Sequence, residues 1–143
     1  MAIVNFQYSK IQVERKEQPT GAISVTPNIS LKNVKEKKLN MVSKETNALQ
    51  AEFHFELQYA PNFGSIILEG VITGMFSPEK TAETLKLWDE KKTLPKDILT
   101  VIMNTIFSRC QLQAIILAKD INLPSPVRLP KLNIEETTKK DEK

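Results

Sequence analysis

The chain has 143 residues, 41% hydrophobic and 26% charged, with a formal net charge of +3 and one cysteine. That size suits one domain able to bury roughly 68–70% of its unfolded surface. The single cysteine, Cys110, excludes an internal disulfide and the multi-cysteine zinc patterns, and so small a net charge does not by itself imply nucleic acid.

The opening "MAIVNFQYSK" lacks a basic region followed by an apolar core, so no signal peptide is expected. No apolar run approaches the roughly eighteen residues of a membrane span, and a soluble cytoplasmic protein is the default. Apolar and polar residues then alternate through Ile11 and Val13, and "QPTG" supplies turn chemistry. In "AISVTPNISLK", Ile23, Val25, Ile29 and Leu31 alternate with polar residues, the period of a sheet with one wet face. Pro27 cannot donate to a ladder, which places this strand at an edge or a bulge. The lysine cluster that follows, Lys32, Lys35, Lys37 and Lys38, is partly offset by Glu36 and reads as a solvated hairpin tip. The sharper alternative is a homo-oligomeric module binding nucleic acid or an acidic partner through those four lysines. The cluster lacks interleaved aromatics that would stack on bases, so nucleic acid is not expected.

The cleanest strand is "AEFHFELQY", with Phe53, Phe55, Leu57 and Tyr59 on one face and Glu52, His54, Glu56 and Gln58 on the other. "PNFG" turns it into "SIILEGVITGMF". A hairpin centred on Asn62 and Phe63 would set Leu57 near Leu68, Phe53 near Ile72 and Phe55 over Gly70. After this the period changes. Ser77, Pro78, Glu79 and Glu83 resemble a helix start, and the helix runs through Leu85, Leu87 and Trp88 to about Lys92. A second helix runs from near Pro95 to about Lys119. Its first half is amphipathic, with Ile98, Leu99, Ile102, Ile106 and Cys110 opposite Asp97, Thr100, Asn104 and Ser108. Its second half, "LQAIILA", is apolar almost all round. Residues 133–143 read as a disordered charged tail on a single domain spanning 1–132. The expected class is α+β, a four-stranded antiparallel sheet followed by two C-terminal helices packed on one face.

Little of this suggests catalysis. Glu52, His54 and Glu56 share a strand face, but side chains about 6.6–6.8 Å apart along a strand converge poorly on a metal. A solvated polar face is the simpler reading. Cys110 sits on an apolar helix side, where cysteine acts as a small hydrophobe. Neither a P-loop nor a dinucleotide fingerprint occurs, so no cofactor, no ATP and no enzyme activity are expected.

"LPKDIL" opening a long apolar helix with Cys110 inside it, followed by "INLPSPVRLP" and preceded by the "NISLK" strand, resembles the SecB-like chaperones. The resemblance runs over roughly the first 132 residues in element order. It implies an ATP-independent holdase that binds unfolded or nascent polypeptide in apolar grooves, assembles as a dimer or a dimer of dimers, and is linked to protein export. The aromatic–proline–tyrosine run of bacterial members is missing here, and the mildly basic charge argues against docking to the SecA motor. On this reading Phe63, Met75, Phe76, Trp88, Met103 and Phe107 are the candidate peptide-binding residues. The surplus apolar end of the second helix, Leu112, Ile115, Ile116 and Leu117, is the candidate interface with another copy. For Trp88 the simpler role is the core face of the first helix.

Overall fold

The structure, a computed structural model, describes residues 2–16, 22–40 and 45–127. The "QPTG" turn and the charged tail at 133–143 lie outside the described residues, as does most of the domain boundary near 132. Four strands, β1 (Ala2–Arg15), β2 (Ser24–Asn40), β3 (Glu45–Ala60) and β4 (Gly64–Met75), precede two helices, α1 (Pro78–Lys91) and α2 (Lys96–Asp120). The strands form one antiparallel sheet in the order β1-β4-β3-β2. The expected class holds.

The alternation read from "AEFHFELQY" divides the sheet as the period requires. Phe53, Phe55, Leu57 and Tyr59 are buried beneath the helices, joined by Ile66, Leu68 and Ile72 of β4. Glu52, His54 and Glu56 on the other face are half-exposed. Pro27 does lie in an edge strand, and β2 also bulges between Leu31 and Asn33.

Two local expectations need correction. The hairpin register is displaced by two residues: Leu57 faces Ile66, Phe55 faces Leu68, and Phe53 faces Gly70. The turn is wider than the expected two-residue loop of Asn62 and Phe63. Tyr59 pairs with Gly64, the Phe63 N–H donates to the Tyr59 carbonyl at 2.9 Å, and Asn62 takes the left-handed backbone conformation. A shift by an even number leaves each side chain on its face, so the core is unchanged. The lysine cluster is not a hairpin tip. Lys32 to Lys38 lie within β2, whose ladder continues until Asn40 meets Glu45. Charged residues on an edge strand form the same backbone ladder as apolar ones and discourage further pairing.

Gly70 fits where β1 crosses closest. A Cβ there would run into the Gln7 carbonyl, beside a bulge between Tyr8 and Lys10. Around that gap Phe6 stacks on Phe53 with ring centroids 5.0 Å apart, and Tyr8 meets Phe6 edge-on at 5.3 Å.

The helix boundaries follow their caps. Ser77 Oγ accepts from the Lys80 N–H, Pro78 occupies the first turn, and Lys92 closes α1 in the left-handed region, donating to the Trp88 carbonyl. At the far end of α2 the Leu123 N–H reaches the Ala118 carbonyl and the Asn122 N–H reaches Lys119, with Asn122 left-handed. Asparagine therefore serves where glycine commonly ends a helix. Lys80 bridges to Asp97 at 3.2 Å and ties the starts of the two helices together.

Candidate polypeptide-binding surface on α2

The exposure of α2 repeats every four residues. Ile98, Ile102, Ile106, Cys110, Ala114 and Ala118 are all buried against the sheet. Thr100, Asn104, Ser108, Leu112, Ile116 and Asp120, halfway between, are all exposed. On a helix of 3.6 residues per turn, a stripe of period four drifts by about 40° at each step. The contact line therefore winds around α2 as the helix runs along the sheet. Leu99, Met103, Phe107, Gln111 and Ile115 form one flank; Val101, Thr105, Arg109, Gln113 and Leu117 form the other.

Along this line the buried residues shrink from isoleucine to cysteine and alanine, and the outward residues change from polar to apolar. Leu112 is 65% exposed and Ile116 54%, the two most exposed large hydrophobic residues described. Phe107 on the flank is 41% exposed, and Met103 and Ile115 beside it are half-buried. Leu117, on the opposite flank, packs partly against the core. Of the four proposed interface residues, Leu112 and Ile116 thus point outward, while Ile115 and Leu117 lie on opposite sides of them. By length and composition α2 could cross a membrane, but one row of it belongs to the core of the sheet domain.

The six candidate peptide-binding residues do not form one groove within a single chain. Met103 and Phe107 are neighbours on the α2 flank. Trp88 is buried, with Lys92 Nζ 5.5 Å from its ring centre. Phe63 is also buried, tilted against Tyr59, with the Arg15 guanidinium 5.4 Å from its centre. It covers its neighbours rather than projecting from the turn. Met75 and Phe76, both half-buried, lie at the other end of β4, roughly 40 Å of strand from Phe63. Sequence reading missed the outward row as a unit. The signal was present in the series Ile98 to Ala118, but alanine and cysteine contribute weakly to a hydropathy pattern.

The polar groups considered for chemistry are engaged otherwise. His54 Nδ1 lies 2.6 Å from Glu69 Oε2 across the β3–β4 pairing, and the Lys32 ammonium binds that same carboxylate. These hydrogen bonds, that from Lys32 first, lower the Glu69 pKa to about 2. With Lys32 committed there, and Lys35 and Lys37 alternating along the strand with Glu36 and Lys38, the cluster does not present four cations on one surface. Cys110 is fully buried, which pushes its thiol pKa up to about 12, so it stays protonated at neutral pH. Tyr8 next to it is also raised to about 12, by burial first and then by Cys110, and its hydroxyl donates to the Arg109 carbonyl at 3.2 Å.

At the end of α2 a concavity of about 450 Å³ opens between Arg15, Ile23, Phe63, Lys119, Asn122, Leu123 and Pro124. The Tyr59 hydroxyl holds its rim by donating to the Pro124 carbonyl at 2.7 Å.

No family model and no curated protein matches this chain. Among solved structures it is similar to the SecB-like chaperone Rv1957 of Mycobacterium tuberculosis, solved in complex with a ChAD peptide from the HigA1 antitoxin. The TM-score is 0.52 at 12% identity, over 92% of this chain and 88% of that one. The chain has a SecB-like fold. At that identity the likeness concerns the arrangement of strands and helices, not the residues upon them.

Proposed function

We propose that this protein is an ATP-independent holdase of the cytoplasm, working as a homo-oligomer that binds extended apolar polypeptide. The observation that carries the reading is the outward row of α2, where Leu112 and Ile116 stand exposed in a helix whose inward row already fills the core. Isolated exposed hydrophobic residues are ordinary, but these two lie one helical turn apart with Ile115 beside them, and grouped apolar residues of this kind mark an interaction site. A SecB-like chaperone of the same fold that was solved with a peptide bound supports a polypeptide as ligand.

The geometry of the rows supports a division of labour. Leu112 and Ile116, facing directly away from the sheet, meet the same residues of a second copy across a two-fold axis. The flank of Met103 and Phe107, earlier on the helix, receives client side chains, since methionine and aromatic residues repack around varied apolar partners. Binding rests on apolar burial, about 25 cal/mol per Å2, with no covalent step.

The test has two arms. Near-stoichiometric protein without nucleotide is expected to suppress aggregation of several denatured clients, and light scattering is expected to give a mass above one chain. Absence of protection across all clients refutes the holdase. A single-chain mass refutes the proposed pairing of α2.

A further inference from the structure

The concavity at the end of α2 combines two chemistries that the outward row lacks. It is lined by apolar Ile23, Phe63, Leu123 and Pro124, by the cationic Arg15 and Lys119, and by Asn122. Among the described residues no acidic side chain lines it, and neither Arg15 nor Lys119 forms an ion pair. Glu14 belongs to the other face of β1, opposite Ser65, and so does not neutralise Arg15 from within the cavity. The Arg15 guanidinium is already positioned against Phe63, 5.4 Å from the ring centre. Its planar fork matches a carboxylate, and Lys119 adds a second positive charge. A volume of about 450 Å³ lies within the range of ligand sites, roughly 300–1,000 Å3.

We infer that this concavity binds the C-terminal residue of a polypeptide, with its carboxylate between Arg15 and Lys119 and its apolar side chain against Phe63, Leu123 and Pro124. A chain terminus with an apolar last residue carries both required groups in one unit, which neither a free phosphate nor an internal apolar segment does. The inference rests on the polypeptide-binding reading and gives it a site of defined polarity, apart from the α2 flank.

The probe is an acetylated hexapeptide ending in leucine and phenylalanine, prepared as the free acid, as the C-terminal amide, and as an amide with an internal glutamate. Each is titrated calorimetrically into the full chain. The free acid is expected to bind at least tenfold more tightly than the plain amide, with the advantage shrinking as salt rises. The double variant Arg15→Gln/Lys119→Gln, altered at two exposed positions, is expected to lose that preference and keep the weak binding of the amide. Equal binding of acid and amide, binding of neither, or a preference that survives in the variant overturns the inference. If the internal-glutamate amide matches the free acid, the carboxylate is recognised but not as a chain end, and the terminal assignment is overturned. Aggregation suppression of a large client, measured on the same preparations, reports separately on the holdase reading.

Discussion

In the first half of α2 the inward row is Ile98, Ile102 and Ile106 and the outward row is Thr100, Asn104 and Ser108. In the second half the inward row is Cys110, Ala114 and Ala118, and the outward row contains Leu112 and Ile116 before Asp120. Both halves lie on the same sheet, yet bulk and polarity have exchanged sides. Isoleucines in the first half fill space beneath the helix, while small residues in the second allow the backbone to lie close, as contact side chains set the separation of packed elements. The sheet therefore needs nothing from Leu112 or Ile116. Apolar bulk that contributes so little to the fold of one chain is what the proposed contact with a second copy or a client would use.

The largest test of this contrast is Ile106→Ala. Removing a fully buried side chain from a packed row is expected to cost about 2–5 kcal/mol, read as a lower urea midpoint at unchanged slope. A cost below about 1 kcal/mol would mean the first half is not packed as described. Ala114→Leu probes the other half in reverse. Adding bulk where the helix lies close is expected to cost about 1–3 kcal/mol through overpacking. A neutral or stabilising result would show spare room there and remove the close approach from the comparison.

Cys110 marks the junction between the halves and supplies a test in pH. In the folded chain its thiol pKa stands at about 12 against an ordinary 9.0, and Tyr8 and Tyr59 stand at about 12 against 10.0, in each case mainly through burial. All three groups are neutral when protonated. Below pH 9 they are protonated folded or unfolded, and stability is unaffected; between about 9 and 12 the unfolded chain ionises first, and stability falls as pH rises. Unfolding midpoints are expected to drop over that interval, with Cys110→Ala flattening the earliest part of the decline. The native thiol is also expected to resist a thiol reagent at pH 8 and to react once urea unfolds the chain. Rapid reaction in the folded state would place Cys110 outside the buried row.

Much of this was legible beforehand because the periods are strong. Phe53 to Tyr59 alternate without a break, and "SPEK" announces the start of α1 through cap, proline and acid. The register of β3 and β4 was not legible. It depends on which residues close the turn, and Tyr59 pairing with Gly64 leaves no mark that distinguishes it from a pairing two residues away. The extent of β2 was hidden for a related reason: Lys35 to Asn40 are held by backbone bonds to β3, which hydropathy does not report. The burial of Phe63 was not legible, because a turn position says nothing of where the turn leans, and here it leans onto Tyr59 and Arg15. In the second half of α2 apolar residues occupy both the inward and outward rows. Only the structure separates the alanines that face the sheet from the leucine and isoleucine that do not.

The smallest expected effect on the fold is the most informative about assembly. Leu112→Ser and Ile116→Ser remove apolar groups that touch little of the core, and exposed substitutions of this kind generally fall within about 0.5 kcal/mol. Measured as an isolated chain, the double variant should unfold near the wild-type urea midpoint. If a second copy covers this row, the same variant should fall to a single-chain mass by light scattering, and the wild-type midpoint should rise with protein concentration while that of the variant does not. A loss of several kcal/mol at all concentrations would place these side chains inside the fold of one chain and erase the contrast between the halves. Unchanged mass with a concentration-dependent midpoint would instead move the contact between copies away from the outward row of α2, leaving Leu112 and Ile116 to the client.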